Sequence, residues 1–257
     1  MFPPERIVCL TEETTETLYL LGEQHRIIGI SGYTVRPPQA RKEKPRVSAF
    51  ISADIPKILA LKPDLVLAFS DLQADIVAGL IREGVAVHGF NQRSVAEIFD
   101  MIRMLGALVG AGDRANDLAN GLAANLEAVR TNAPKHRPKV YFEEWDDPMI
   151  SGIQWVSELI AIAGGDDIFP ELMTKKSAKD RIVTPQAVID RAPDIVIGSW
   201  CGKKFRPEKF AARAGFDALP AVRNGRVHEI KSALILQPGP AALTDGLAAL
   251  QAIIGAA

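Results

Sequence analysis

Residues 62–70 read KPDLVLAFS and residues 192–200 read APDIVIGSW, so nearly the same segment occurs once in each half of the chain. Each copy joins a Pro-Asp corner to a run of leucine and β-branched residues that is too apolar to face water on either side. Such a run is typical of a parallel strand covered by helices on both faces. A short amphipathic stretch that begins with proline precedes each copy, at residues 56–61 and 185–191. The repeat therefore predicts two similar α/β lobes.

The rest of the chain supports this two-lobe organisation. Strand patterns alternate with helical patterns on both sides of a long helical stripe at residues 113–131, in which no strand signal intervenes. This alternation indicates right-handed βαβ crossovers and a parallel sheet. We therefore predict an α/β fold of two Rossmann-like lobes with parallel central sheets, at residues 1–112 and 139–257. One long connecting helix and a linker, at residues 113–138, join them.

The predicted fold indicates where a ligand would bind. Ligands of open α/β sheets bind beyond the carboxyl ends of the strands, so paired lobes place one pocket in the cleft between them. The first copy of the repeat ends at Phe69 and Ser70, and the second copy ends at Ser199 and Trp200. We expect these residues to line opposite walls of the cleft, an arrangement that favours binding over catalysis.

The composition excludes several classes of function. The chain has 257 residues, of which 47% are hydrophobic, and its 30 basic residues are matched by 31 acidic ones. Because no basic stretch is interleaved with aromatic residues, we expect no nucleic-acid partner. No apolar segment approaches the roughly 20 residues that a membrane-spanning helix needs. Residues 1–6 lack the layout of a secretory signal, so we expect either a cytoplasmic protein or one whose leader was removed, and Met1 favours the first.

Short segments spread over nearly the whole chain occur in a characteristic order. They are RIVCL at residues 6–10, TETL at 15–18, RIIGISGY at 26–33, PPQA at 37–40, ALKPDLV at 60–66, SELI at 157–160, AGG at 163–165 and IF at 168–169. Together they resemble the metal-chelate substrate-binding proteins of ABC importers, the class that carries vitamin B12, haem and ferric siderophores. The segments are most similar to those of the vitamin B12-binding members.

The resemblance implies a binding protein that is not an enzyme and holds no cofactor, with cobalamin or another metal chelate as its ligand. In the vitamin B12-binding members, aromatic side chains from both lobes sandwich the corrin ring. Aromatic faces suit a large flat ligand because they bury much area with few rotors to freeze. We expect Trp155, at a helix start, to pack in the core. The residues at or near the sandwiching positions are Tyr33, Phe50, Phe69, Trp145 and Trp200.

Polar contacts to the ligand are predicted from charged residues near the strand ends of the second lobe. Lys203 follows the second copy of the repeat, and Arg181 is a further cation that could meet ligand carboxylates. Glu144 and Trp145 lie in the acidic segment EEWDD, residues 143–147, which we interpret as a solvated loop after a strand. A cation site is the alternative for this segment, because carboxylates are ligands for hard cations.

The resemblance also implies docking to a membrane permease through one acidic residue on each lobe, and hence a periplasmic location. Asp75 matches the first of these positions, whereas Gln186 stands at the second. Residues 232–240 lack the acidic and basic pair that the vitamin B12-binding members carry there, so the ligand stays open between a corrinoid and another metal chelate. We predict the substrate-binding component of an ABC importer, with an ABC permease as its partner.

Two alternatives belong to other functional classes. A cytoplasmic binding protein or sensor for the same ligands would fit a chain without a signal sequence. An enzyme built on the same lobes would use Cys201 and the acidic segment at residues 143–147 as its reactive groups, since a thiol after a strand could act as a nucleophile.

Overall fold

The chain folds into two compact units. A computed structural model describes residues 2–256. The first unit contains the residues up to Gln92 together with Ala96–Gly121, and the second contains Arg93–Val95 and the residues from Leu122 onward. The division falls inside a long helix, Gly112–Thr131. The predicted α/β class is confirmed in both units.

The first unit is built on a parallel five-stranded sheet with the strand order β3-β2-β1-β4-β5. Its strands are β1 (Ile7–Cys9), β2 (Ile27–Ser31), β3 (Arg46–Ser48), β4 (Leu65–Phe69) and β5 (Val87–Phe90). The helices along this part of the chain are α1 (Glu12–Leu20), α2 (Ala40–Glu43), α3 (Ile55–Ala60), α4 (Ala74–Arg82), α5 (Val95–Leu108) and α6 (Gly112–Thr131). Every residue of β1 and β4 is buried, as the first copy of the repeat predicts.

The second unit contains a mixed sheet with the strand order β10-β9-β6-β7, and β8 also pairs with β6. Its strands are β6 (Lys139–Asp146), β7 (Met149–Ser151), β8 (Asp166–Asp167), β9 (Ile195–Gly198) and β10 (Val227–Glu229). Its helices are α7 (Gln154–Ile162), α8 (Pro185–Arg191), α9 (Pro207–Ala211), α10 (Pro220–Arg223), α11 (Ser232–Ile235) and α12 (Leu247–Gly255), and a π-helical turn, Ala242–Gly246, leads into α12.

The structure corrects the prediction for the acidic segment and for the second sheet. Residues 143–146 continue strand β6 instead of forming a loop, and β7 folds back antiparallel to β6, so this sheet is not wholly parallel. Cross-strand pairs such as Glu143 with Ser151 and Asp146 with Met149 form the hairpin. The hairpin places alternate side chains of the acidic segment on opposite faces of the sheet.

Each unit has a core of its own. Around β1 and β4 the core is aliphatic and includes Val8, Val66 and Leu80. In the second unit a chain of aromatic rings fills the core, among them Phe205, Phe210 and Phe216. Trp155 is 3% exposed and donates its indole N–H to the carbonyl of Ile235 at 2.9 Å, which confirms its predicted place in the core. Among residues 2–256, no helix combines the length and apolarity needed to cross a bilayer.

The repeated Pro-Asp corner performs the same structural task in both units. The carboxylate of Asp64 accepts the backbone N–H groups of Glu5 at 2.7 Å and Arg6 at 2.9 Å, at the start of β1. Asp194 accepts the N–H of Lys139 at 2.8 Å, at the start of β6. Each aspartate thus fixes where the first strand of its unit begins beside the repeated strand. Lys62 and Ala192, two residues earlier, both have positive φ, which reverses the chain before the proline.

Asp64→Ala is expected to lower the free energy of unfolding by about 1–2 kcal/mol, because two backbone N–H groups lose a charged acceptor. Urea denaturation followed by circular dichroism measures this change. Asp117→Ala, on the exposed face of α6, is the matched control and should stay within about 0.5 kcal/mol of the wild type. Equal stability of the two variants would contradict the role given to the corner.

Candidate functional site

The carboxyl edge of the first sheet is rich in exposed apolar side chains. Tyr33 and Val35 follow β2 and are 52% and 36% exposed, Ile51 follows β3 and is 71% exposed, and Leu72 follows β4 and is 58% exposed. Because the strands are parallel, all these loops leave the sheet at the same edge. We call these four residues the apolar edge. Because exposed apolar side chains that lie together are typical of ligand sites, we take the apolar edge as the candidate binding surface of the first unit.

The predicted aromatic residues of the first unit differ in accessibility. Tyr33 belongs to the apolar edge and Phe50 is half-buried, so both can offer ring surface to a ligand. Phe69 is only 5% exposed, at the end of a fully buried strand. Its predicted stacking on a ligand stays a prediction. Ser70 is half-buried, and its hydroxyl accepts the N–H of Leu72 at 3.3 Å.

Sequence reasoning missed two members of the apolar edge and misplaced a third. The spacing of Leu72, Ile76 and Leu80 predicts one helix with Leu72 on its buried face. Instead, Leu72 lies in a 3-10 turn, Asp71–Gln73, that precedes α4 and holds its side chain in solvent. Val35 and Ile51 are single apolar residues in polar loops, and no periodic pattern distinguishes them from ordinary surface residues.

In the second unit, a lysine covers the tryptophan at the end of β6. The Lys203 ammonium lies 4.0 Å from the ring centroid of Trp145 and 5.0 Å from that of Trp200, and it is 2.5 Å from a carboxylate oxygen of Asp146. Burial is the largest single effect and opposes ionisation of Asp146, but the hydrogen bond from Lys203, a backbone hydrogen bond and the nearby positive charges together lower the pKa of this carboxyl. Trp145 is half-buried, so the pair forms a flat surface with a cation on it.

Trp200 packs inside the second unit and offers little surface to a ligand. It is 5% exposed, meets Phe205 edge-to-face at 4.9 Å, and donates its indole N–H to Glu143 at 3.1 Å. The predicted stacking of Trp200 on a ligand stays a prediction. The hydrogen bond to Glu143, a fully buried carboxylate, holds the indole of Trp200 in the interior. Burial raises the pKa of Glu143, and the adjacent Arg213 guanidinium opposes this rise.

Arg181 and Glu144 are also engaged within the protein. The Arg181 side chain is 1% exposed, lies 2.6 Å from Glu144, and donates to the carbonyl of Ser151. The prediction that Arg181 meets ligand carboxylates is not supported, because a guanidinium enclosed by its own partners presents no open face. Glu144 retains about a fifth of its side-chain exposure. This pair joins the β6–β7 hairpin to the turn at Ala178–Arg181.

The acidic segment at residues 143–147 is not arranged as a cation site. Three of its four carboxylates have basic partners, Glu143 with Arg213, Glu144 with Arg181 and Asp146 with Lys203. Within residues 2–256, no group of three His, Cys, Asp or Glu side chains is placed to hold a metal ion. Cys201 is exposed after β9. Three of the four acids that the enzyme alternative would use are thus held as ion pairs.

The predicted docking positions are on the surface. Asp75 is exposed in the first turn of α4. Gln186 is exposed in the first turn of α8, and its amide donates to Asp190 at 2.7 Å, so a carboxylate stands one turn away from the amide.

Two carboxyl groups at the start of α1 are buried. Burial raises the pKa of Glu12 to about 7 and that of Glu13 to about 8. The hydroxyl of Thr11 donates to Glu13 at 2.6 Å and makes no capping hydrogen bond to the helix. The helix dipole favours ionised acids close to a helix N-terminus, but burial here raises the pKa values of both groups into the neutral range.

Several known proteins are similar to this chain over most of its length. A model of the family described as "Periplasmic binding protein" matches residues 7–234. An uncharacterised ABC transporter substrate-binding lipoprotein of Bacillus subtilis is 26% identical over 253 residues, which cover 92% of this chain and 76% of that protein. A vitamin B12-binding protein of Vibrio cholerae is 28% identical over 250 residues, covering 94% of this chain and 86% of that protein.

A solved structure supports the same fold. The periplasmic haem-binding protein from Roseiflexus superposes with a TM-score of 0.83 at 24% identity, covering 97% of this chain and 99% of that one. At this level of identity the likeness establishes the arrangement of helices and strands only.

Proposed function

Because the chain belongs to the periplasmic binding protein family, we propose that it is the substrate-binding component of an ABC importer and that its substrate is a corrinoid or a related metal chelate. The family and the curated relatives are binding proteins, which confirms the prediction that the chain is not an enzyme. The relatives named for vitamin B12 cover most of the chain, which supports a ligand of that size.

The apolar edge is the observation that carries this proposal. Folding gains nothing from leaving Ile51 and Leu72 in water, whereas a ligand that covers them recovers about 25 cal/mol for each Å² of apolar surface. A corrin or porphyrin ring has the breadth to contact several loops at once. Tyr33 adds an aromatic face with one polar tip, which suits the rim of such a ring.

The second unit supplies a different kind of contact. Trp145 offers ring surface at the end of β6, and Lys203 offers a cation that Asp146 holds in place. A ligand carboxylate or amide oxygen can take the place of Asp146 on the ammonium while the ligand ring covers Trp145. Binding by one ring face and one cation fits both an amide-rich corrinoid and an acidic chelate. The location of the ligand in a cleft stays a prediction.

Docking to a permease is the second part of the proposal. Asp75 supplies an exposed carboxylate on the first unit, and Asp190 supplies one on the second unit, beside Gln186. Asp190 thus offers the charge that Gln186 lacks. The alternative of a cytoplasmic sensor has no support among the relatives reported above.

The substrate class can be tested with the purified protein and three probes, cyanocobalamin, haemin and a ferric hydroxamate. Titration is followed by quenching of tryptophan fluorescence and by the absorbance of each chelate. Saturable binding of at least one probe is expected. Absence of saturable binding to all three would contradict the proposed substrate class.

Ile51→Asp is expected to weaken binding of whichever of these three probes the wild type binds by about tenfold or more. The variant removes an apolar contact and places a carboxylate against the ligand. Leu72→Asp should act in the same direction. The matched controls are Ile81→Asp and Leu20→Asp, which alter similarly exposed residues at the far ends of α4 and α1. Equal affinities of the site and control variants would show that the apolar edge does not contact the ligand.

A further inference from the structure

A buried glutamine connects three strand ends at the apolar edge. Gln73 is fully buried, and its carbonyl oxygen accepts the backbone N–H of Phe69 at 2.9 Å. Its amide nitrogen donates to the carbonyl of Phe50 at 2.8 Å and to that of Leu10 at 3.4 Å. These partners lie just after β3, at the end of β4 and just after β1. One side chain therefore fixes the backbone of three separate loops.

The turn that contains Gln73 is held in a conformation that few residues adopt. Ser70 has φ 60° and ψ 174°, a combination that is essentially restricted to glycine. The carbonyl of Ser70 accepts the N–H of Gln73 at 3.3 Å, and its hydroxyl accepts the N–H of Leu72. Such a backbone persists only where the surroundings enforce it, and the Gln73 side chain closes the same turn onto Phe69.

We propose that Gln73 is a positioning residue for ligand binding, an inference that rests on the function proposed above. Its own side chain is too deeply buried to touch a ligand. It acts through its neighbours, because it holds Phe50, which precedes Ile51, and itself follows Leu72 of the apolar edge. Without the amide, the loop after β3 and the turn after β4 are free to separate. The apolar edge then loses its preformed shape, and the ligand must order it.

A residue that positions the loops and a residue that only stabilises the unit differ in their expected effect on ligand affinity. A residue that only stabilises the unit would change affinity no more than any other core residue. Gln73 differs because its hydrogen bonds end on backbone groups at the carboxyl ends of three strands, beside the loops of the apolar edge. We therefore expect its loss to affect affinity and local exchange of the two loops, while the sheet itself stays intact.

The test compares Gln73→Ala and Gln73→Glu with the wild type and with Ile58→Val. Gln73→Glu keeps the acceptor for Phe69 but removes the donor to Phe50. Ile58→Val lowers stability through the core of the same unit without altering these loops. Affinity for the chelate that the wild type binds is measured at a temperature at which circular dichroism shows every variant folded. Amide hydrogen exchange of residues 49–53 and 69–73 is measured in parallel.

Both Gln73 variants are expected to bind about tenfold more weakly than the wild type and to exchange faster in the two loops, whereas Ile58→Val should keep its affinity. Wild-type affinity in Gln73→Ala would overturn the positioning role and leave the proposed function standing. An equal loss of affinity in Ile58→Val would also overturn it, because stability alone would then explain the effect. Failure of the wild type to bind any of the three probes would instead remove the proposed function, and the role of Gln73 with it.

Discussion

Replacing Arg213 by methionine is expected to lower the free energy of unfolding by about 3–5 kcal/mol, because the change strands the Glu143 carboxyl in the core of the second unit. The pair is bidentate, with distances of 2.6 and 2.9 Å between guanidinium nitrogens and carboxylate oxygens. Glu143 is fully buried, so water cannot replace the lost partner. The carboxyl would have to take up a proton in order to stay inside.

The surroundings of the Arg213–Glu143 pair explain why the effect is large. Glu143 also accepts hydrogen bonds from Trp200 at 3.1 Å and from the hydroxyl of Tyr141 at 3.2 Å. The guanidinium of Arg213 lies 5.0 Å from the ring centroid of Phe210, so the cation contributes to aromatic packing as well as to charge balance. Removing it disturbs the hydrogen-bond network and the aromatic core together.

Urea unfolding followed by tryptophan fluorescence measures this change. The double variant Arg213→Met with Glu143→Gln is expected to be more stable than Arg213→Met alone, because a neutral amide needs no cation and still offers an acceptor to Trp200. Such recovery would show that the uncompensated charge, and not the lost arginine contacts, dominates the cost. If the free energy of unfolding of Arg213→Met lay within about 1 kcal/mol of the wild-type value, the role of this ion pair would be contradicted.

The repeated segment was the strongest predictor of structure because its signal is local. A Pro-Asp corner and an apolar run are written in consecutive residues, and β4 and β9 form where the two copies predict them. The resemblance to the binding-protein family extended this local signal over the whole chain. The α/β fold and the binding function could therefore be predicted from the sequence.

The states of individual site residues could not be predicted in the same way, because they depend on partners far along the chain. Glu143 and Arg213 are 70 residues apart, and Lys203 meets Asp146 over 57 residues. No spacing rule links such residues before the fold brings them together. The acidic segment therefore resembled a solvated loop although its carboxylates are paired. Trp200, predicted at an open strand end, is drawn inward by the same network.

Leu72 shows a different limit of sequence reasoning. Its spacing from Ile76 fits a helix, and only the turn at Ser70, held by Gln73, decides that the helix begins later at Ala74. A glutamine in a helical pattern has no distinctive signal, since most are solvated. The sequence therefore gives no sign of the role proposed for Gln73, which depends on backbone partners up to 63 residues away.

Glu13→Gln is expected to make the protein more stable than the wild type at alkaline pH and to leave its stability unchanged at about pH 4.5. Burial raises the pKa of Glu13 to about 8 in the folded chain, whereas the ordinary value is 4.5. Between these values the folded chain binds a proton that the unfolded chain releases, so stability falls as the pH rises. The contribution of protonated Glu13 to the free energy of unfolding is fully present below about pH 4.5 and is lost as the pH rises through about 8.

The surroundings of Glu13 explain why its pKa is raised so far. One oxygen of Glu13 accepts the hydroxyl of Thr11, while the other is buried and has no hydrogen-bond partner among the described residues. Glu12 and Glu16 lie nearby and add negative charge, which further opposes ionisation. A glutamine amide keeps the acceptor for Thr11 and carries no charge at any pH. The hydrogen bonds from Thr11 and from the backbone thus offset only part of the cost of ionising Glu13 in the folded state.

Denaturation curves from about pH 5 to pH 9 for the wild type, Glu13→Gln and Glu127→Gln measure the difference. At the alkaline end, Glu13→Gln should exceed the wild type by on the order of 5 kcal/mol, since the pKa of Glu13 rises from 4.5 to about 8 and each pKa unit corresponds to about 1.4 kcal/mol. Glu127 is exposed on α6, so its variant should follow the wild type throughout. Glu12, with a pKa raised to about 7, titrates in the same window and interacts with Glu13, so the difference measures Glu13 together with its coupling to Glu12. Parallel curves for Glu13→Gln and the wild type would show that this carboxyl ionises freely in the folded chain.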